Sequence, residues 1–408
     1  MSERLTQKIR QIVYAGNRGL FIMLLAMTAL ELFLLKWGLE ISNRGMIWAL
    51  VIFIAFLMPV PYVMWLNMQA RQPSRKTAAW LVRPVFAWWV NWMFFLIALG
   101  PLVVIARASA TAFHSQTLIS LMRALSISLV SVVGALTVWG LITTRRVPQV
   151  VMRELVIPGL AWKDDGIKLA QMTDIHFSWR HSREEMQRNA EIIAGLNPDL
   201  LVLSGDMVDH NSGYVSTLAD CLDKIQPRLG KFAIMGNHDV YSGGQEVARV
   251  LDSHGYKMLQ AGHASLVDQG VGLVLAGMDD SGKRASGPDP EENQIPEIIA
   301  NCPKGLPIIF VGHRPSSFDK VIGLPVALTL SGHTHGGQFR VPYTQRAHSN
   351  LKFKRTMGLY REGEQMLYVS RGTGSVAWPF RLWCSEEITL LTLRSPEALR
   401  LELVLETT

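Results

Sequence analysis

Apolar residues run almost unbroken through four stretches in the first third of the chain, at about 19–39, 45–66, 86–106 and 118–142. Each reaches the roughly 20 helical residues that a bilayer core about 30 Å thick requires. Four consecutive helices so poor in charge would be very unusual in water. The pattern changes near residue 150. Runs such as "PDLLVLSGD", "KFAIMGNHD", "VGLVLAGMDD", "LPIIFVGH" and "VALTLSGH" predict buried strands, while "REEMQRNAEIIAGL" and "GQEVARVLDSHG" have helical spacing. "RELVIPGL" and "IKLAQMTD" flank the turn signal "KDDG", which predicts a hairpin. Strands alternating with helices, then more β, predict a mixed α/β sandwich preceded by an all-α transmembrane bundle. The expected domains are 1–146, spanning the membrane, and 147–408, carrying the chemistry.

Charge changes this picture in one respect. The net charge of +7 resembles a nucleic-acid signal, but much of the basic excess flanks the apolar stretches, so no nucleic-acid partner is expected. Arg4, Lys8, Arg10 and Arg18 precede the first span; Arg71, Arg75, Lys76 and Arg83 lie between the second and third; Arg145, Arg146 and Arg153 follow the fourth. That distribution places both termini, and with them the second domain, on the cytoplasmic side of the inner or plasma membrane. The lipid bilayer is itself an expected partner. Two charges interrupt the spans, Glu31 and Arg123. Either they pair at similar depth inside the bundle, or Arg123 alone reaches for the membrane surface. Three cysteines without a C-x-x-C pair argue against a disulfide framework or a thiolate zinc site.

The candidate chemistry lies where apolar strands run out, the usual place for a site in layered α/β folds. "TDIH" carries Asp174 and His176, "SGDMVD" carries Asp206 and Asp209, and "GNHD" carries Asn237, His238 and Asp239. His313 follows in "VGHRP", then His333 and His335 in "LSGHTHGGQF". Asp174 and His176, like His333 and His335, are two residues apart, so in an extended strand each pair would aim at one point. Carboxylate, amide and imidazole together form a ligand set suited to Mn²⁺, Fe²⁺ or Zn²⁺.

The series "TDIH", "GDMVD", "GNHD", "GHRP", "GHTHGGQ" resembles the calcineurin-like metallophosphoesterase superfamily over about residues 165–395. The "GHTHGGQ" variant with a late "RGTGSVAWPFRLWCSEEITLLTL" is similar to its bacterial YkuE/YaeI-type branch. The resemblance implies a four-layer α/β-β/α sandwich with two divalent metal ions. It implies that Asp174, His176, Asp206 and His335 hold the first metal, and that Asp206 bridges to a second completed by Asn237, His313 and His333. By the same resemblance His238 is the catalytic histidine, Asp239 orients it, and Asp209 buttresses its loop. Arg314, following the histidine of "GHRP", is expected to touch substrate or to face water; His181 is expected to be a surface or packing residue, with reach toward substrate the alternative for it and for Arg180.

These features imply a membrane-anchored phosphoesterase cleaving phosphoester, phosphodiester or pyrophosphate bonds by attack of a metal-bridged hydroxide. The four-span anchor points to a phosphorylated, lipid-linked substrate. Three alternatives stand beside it: an enzyme like the UDP-2,3-diacylglucosamine pyrophosphatases, a non-catalytic membrane scaffold of the same fold, and a nuclease.

Overall fold

The computed structural model describes residues 3–112, 115–144, 147–283, 287–342 and 353–400, with residues 3–17 as backbone. Arg145 and Arg146 lie outside the described residues. The chain divides into two compact units, Met1–Arg145 with Ala377–Phe380, and Arg146–Val376 with Arg381–Thr408.

The first unit is helical. Four of its segments, Arg18–Gly38, Asn43–Met68, Arg75–Ala112 and Gln116–Thr143, are long and apolar enough to cross a membrane. The second is two helices, Asn43–Leu57 and Val60–Met68, broken at Pro59, whose ring cannot sit in an unbroken helical ladder. Ser42 and Ser115 cap helix starts, accepting from the Gly45 and Leu118 amides. Large apolar side chains such as Trp48, Ile97, Ile105 and Leu125 point outward, as lipid-facing residues do.

Glu31 and Arg123 do not pair. Arg123 turns to the helix end, where its Nε donates to the Leu39 carbonyl at 2.8 Å and its guanidinium lies 3.7 Å from Glu40. Arg107 pairs with the same Glu40. A long side chain reaches the polar boundary at less cost than it shares an apolar interior, so the surface-seeking alternative holds. Glu31 stays buried, with both carboxyl oxygens lacking a hydrogen-bond partner.

Among the described residues the second unit contains twelve strands: β1 (Gln149–Val156), β2 (Ile167–Met172), β3 (Leu200–Ser204), β4 (Lys231–Ile234), β5 (Tyr256–Met258), β6 (Gly262–Ser265), β7 (Val274–Met278), β8 (Ile308–Gly312), β9 (Val326–Ser331), β10 (Gly358–Glu362), β11 (Gln365–Val369) and β12 (Glu387–Arg394). They form two six-stranded mixed sheets, ordered β1-β12-β2-β3-β4-β5 and β10-β11-β9-β8-β7-β6. The expected β1–β2 hairpin is absent. β12 inserts between them, parallel to β1 and antiparallel to β2. Five of the six residues of β2 are buried, so it needs a partner on both edges, and β12 and β3 supply them.

One core joins the inner faces of the sheets. Leu169, Val202, Ile234 and Leu391 meet Leu275, Ile309, Val311, Leu328 and Tyr368 there. Each such fully buried aliphatic side chain contributes about 1.5–3 kcal/mol. Helices cover the outer faces. Ile295–Ala300 and Ser317–Val321 pack on the second sheet through Ile295, Ile298, Phe318 and Val321. On the first, Arg183–Gly195 buries Met186, Ala190 and Ile193, starting at a capping box in which Ser182 and Glu185 satisfy each other's backbone amides. Helix, sheet, sheet, helix is the four-layer order.

Candidate metal centre

The candidate residues lie just past the ends of β2, β3, β4, β8 and β9, with Asn237, His238 and Asp239 in the first turn of the helix Asn237–Ser253. Parallel pairing fans these strand ends out side by side, and backbone bonds continue past the strands. The Asp174 and His176 amides donate to the carbonyls of Gly205 and Asp206, each at 3.0 Å. The His333 amide donates to the Asp174 carboxylate at 2.9 Å, joining the two sheets at the site.

Five of these residues adopt left-handed backbone angles: Asp174 (φ 51°), His176 (48°), Asp206 (54°), His333 (69°) and His335 (52°). Such φ values are uncommon for residues other than glycine and concentrate where a site constrains the chain. They also correct the strand argument. β9 ends at Ser331 and β2 at Met172, so strand alternation does not set the direction of either pair. His333 and His335 in fact separate, each joining a different group of donors. Glycines make the crowding possible. A Cβ on Gly332 would lie 2.1 Å from an Asp174 oxygen, and one on Gly236 would lie 2.2 Å from an Asp206 oxygen.

One group is Asp174, His176 and His335, and the other is Asp206, His313 and His333. In the first, His335 Nε2 lies 3.4 Å from Asp174 Oδ1 and 3.0 Å from His176 Nε2. In the second, His313 Nε2 lies 3.2 Å from Asp206 Oδ2 and 3.3 Å from His333 Nδ1. Asp206 Oδ2 is also 3.7 Å from His176 Nε2, so it stands between the groups. His313 Nδ1 donates to the Ser204 carbonyl at 2.9 Å, which orients the ring and directs Nε2 inward.

Electrostatics match this crowding. Burial, reinforced by neighbouring imidazoles, holds His333 and His335 well below the ordinary histidine range and His176 down to about 3, leaving neutral rings. Burial would raise Asp206, yet His313 and His176 hold it well below the usual carboxylate range. Burial lifts Asp174 to about 6. His313 goes the other way. Burial would lower it, but the Asp206 carboxylate outweighs that and raises it to about 10. A proton there occupies the place a cation would take. The donors fit divalent metal: two carboxylates, an amide and four imidazoles, with no thiolate. Asn237 Oδ1 is buried without any hydrogen-bond partner, an orphan that a bound cation satisfies.

His238 sits beside this centre. Its amide donates to Asp206 Oδ1 at 2.8 Å, and its ring Nδ1 bonds Asp209 Oδ1 at 2.9 Å. Burial would lower its pKa, but the Asp209 bond and the Asp206 charge raise it above the ordinary value. The expected roles of the two nearby aspartates are thereby exchanged. Asp239 does not touch the ring; its carboxylate accepts the amides of Met207, Val208 and Gly236 at 2.8–3.0 Å and braces the loops. Helix geometry explains part of this: Asp239 lies in the first turn of Asn237–Ser253, where Oδ2 reaches back to the Gly236 amide at the helix start, leaving Oδ1 to the amides of the loop after β3.

Residues 167–337 match the family description "Calcineurin-like phosphoesterase". A Danio rerio "Transmembrane protein with metallophosphoesterase domain" is 31% identical over 72% of this chain and 68% of its own length. The chain belongs to the calcineurin-like phosphoesterase family. Metallophosphoesterase YkuE of Bacillus subtilis (strain 168) is 31% identical over 57% of this chain and 80% of its own. Phosphodiesterase YaeI of Escherichia coli (strain K12) is 32% identical over 59% of this chain and 88% of its own.

Within this phosphoesterase domain, three arginines have roles that the sequence motifs did not reveal. Arg180 is buried and paired with Asp209 rather than reaching toward substrate; that pair holds the Asp209 carboxyl well below its usual range against the effect of burial. Arg314 does not face water. It is buried against Asp280, at 2.5 Å from Nε, and donates to the Gly287 carbonyl at 2.7 Å. Arg381, also buried, donates to the carbonyls of His335 and Gly374 at 2.9 Å each and to that of Arg371 at 2.7 Å. It ties the His335 turn to the segment after β11. Its only sequence signal is a lone cation in the aromatic run "AWPFRLW". His210, with Nε2 3.0 Å from Asp209, was likewise not identifiable from spacing.

Proposed function

We propose that this chain is a membrane-anchored phosphoesterase that works with two divalent metals. The observation that carries the reading is the position of Asp206 between two separate donor groups. In this reading Asp174, His176, Asp206 and His335 hold one metal, and Asp206, Asn237, His313 and His333 hold the other. Manganese, iron and zinc all suit the donors. Bound there, the pair would supply positive charge for a phosphoryl group and lower the pKa of a water.

The chain's own residues do the rest. His238, held at Nδ1 by Asp209, turns its other ring nitrogen toward the leaving oxygen and delivers a proton there. Arg180 keeps Asp209 ionised and in place. Asp239 braces the Asp206 loop against the start of the His238 helix. A positioned proton donor is worth typically 10²–10⁴-fold.

The substrate is a phosphate ester, phosphodiester or pyrophosphate, and the four apolar helices favour one carried on a lipid. The relative named a phosphodiesterase makes diesters the first class to test. Both termini and the phosphoesterase domain face the cytoplasm in this reading, because Arg71, Arg75, Lys76 and Arg83 cluster between the second and third helices. The complete donor set and the ordered His238 count against a non-catalytic scaffold.

The test is a phosphate-release screen with the full chain and added Mn²⁺, Fe²⁺ or Zn²⁺, over aryl diesters, nucleotide-sugar pyrophosphates and phospholipid diesters. Turnover that disappears in Asp206→Ala is expected. Bound metals without turnover of any class would leave the scaffold as the better account.

A further inference from the structure

The helical unit contains a cavity of about 230 Å³. Its walls are mostly apolar, formed by leucines, Val103 and Val130 with the aromatic rings of Trp92 and Phe95; Ser126 and Ser131 also line it, and Glu31 is its one ionisable lining residue. Glu31 is 97% buried (3% exposed), and neither of its carboxyl oxygens has a partner. Among the described residues no basic side chain bonds it: Lys36, five residues on, donates to Asn43 Oδ1 at 2.7 Å. Arg107 and Arg123 are engaged with Glu40 and the Leu39 carbonyl at the helix ends. A carboxyl left alone in apolar surroundings is costly, and ionisable groups inside spans characteristically serve a ligand or an ion.

We propose that this cavity binds a lipophilic amine, with the ammonium group on Glu31 and the apolar body in the cavity. Two features select that chemistry over a plain hydrocarbon or an alcohol, and a third sets the size of the body. The carboxyl gains an ion pair from an ammonium but only a hydrogen bond from a hydroxyl. Trp92 and Phe95, with ring centroids 5.7 Å apart and nearly perpendicular, offer aromatic surface to a cation. The volume suits a compact body, since a cavity of about 150 Å³ already admits benzene. Protons balance without an outside donor: the neutral amine arrives from the lipid phase and takes the Glu31 proton, leaving ammonium beside carboxylate.

Two probes of one shape test this, 1-aminoadamantane and 1-adamantanol, on the full chain in detergent. Dicyclohexylcarbodiimide, which adds to protonated carboxyls in apolar surroundings, reports on Glu31 through the mass of its peptide. Glu31 is expected to label without ligand, and the amine to reduce labelling at least tenfold at a concentration where the alcohol does not. The amine should also raise the melting temperature of the wild type and not of Glu31→Gln. Equal protection by the alcohol would overturn the proposal in favour of an apolar cavity without charge selection. Failure of Glu31 to label would overturn it by showing a carboxyl closed to any such ligand. The labelling comparison uses the wild type alone, so it decides the matter even if Glu31→Gln does not fold.

Discussion

Asp209 bonds the Nδ1 of His238 at 2.9 Å, while Asp239, the immediate chain neighbour of His238, spends its carboxylate on three backbone amides. Twenty-nine residues separate Asp209 and His238 along the chain. The pairing makes the two aspartates separable by experiment. Asp209→Asn is expected to lower kcat/KM on alkyl phosphodiesters by about 10–10²-fold, part of the span available to general acids. On nitrophenyl esters, whose leaving group needs no proton, the loss should be small, with both metals retained. His238→Gln should show the same split, larger in size. Asp239→Ala should instead lower the melting temperature, because three amides lose their acceptor at about 1 kcal/mol or more each. Equal losses on both ester types for His238→Gln would remove the proton-donor role.

Metal content distinguishes the shared ligand from the others. Asp206→Ala is expected to lose both metals, whereas His313→Ala should mainly weaken the second. Elemental analysis of each purified variant reads this directly. A single metal in the fully loaded wild type would end the dinuclear reading.

Stability should depend on pH through Glu292, which is not among the candidate metal donors. Burial raises its pKa from 4.5 to about 7, although Ser316 Oγ donates to it at 2.5 Å. The folded state therefore binds the extra proton between those values, and its contribution to stability falls as pH rises from about 4.5 through about 7. Glu292→Gln removes that loss. Its melting temperature should exceed that of the wild type at pH 8, by about 2–4 °C for each kcal/mol recovered, and should match or fall below it at pH 5. Melting curves for the two proteins that stay parallel from pH 5 to 8 would show that Glu292 does not titrate in this window.

Membrane orientation is open to a fusion experiment. A fluorescent reporter after residue 146 should be active in the cytosol, and alkaline phosphatase at the same point inactive. The opposite pair of results would place the phosphoesterase domain outside.

The chain's local patterns determine a good deal by themselves. Four apolar runs of membrane-spanning length are readable because helix length and side-chain polarity are local properties. The candidate donors are readable for a similar reason: each lies just past an apolar strand, and its residue type limits the chemistry it can perform. Choice of partner is another matter. β12 sits between β1 and β2 because β2 is buried on both edges, a demand that no turn signal in "KDDG" carries. Arg123 leaves Glu31 because the helix end offers a carbonyl and Glu40 at the boundary. His333 and His335 part company because the backbone leaves the strand at Ser331 and turns left-handed, so strand alternation no longer directs them. Asp209 takes the ring of His238 because Asp239, in the first helical turn, is bound to amides that have no other acceptor. In each case buried polar groups had to be satisfied by whichever groups the packed sheets and helices brought near, often from far along the chain. Residue spacing cannot express that requirement, and tertiary packing decides it.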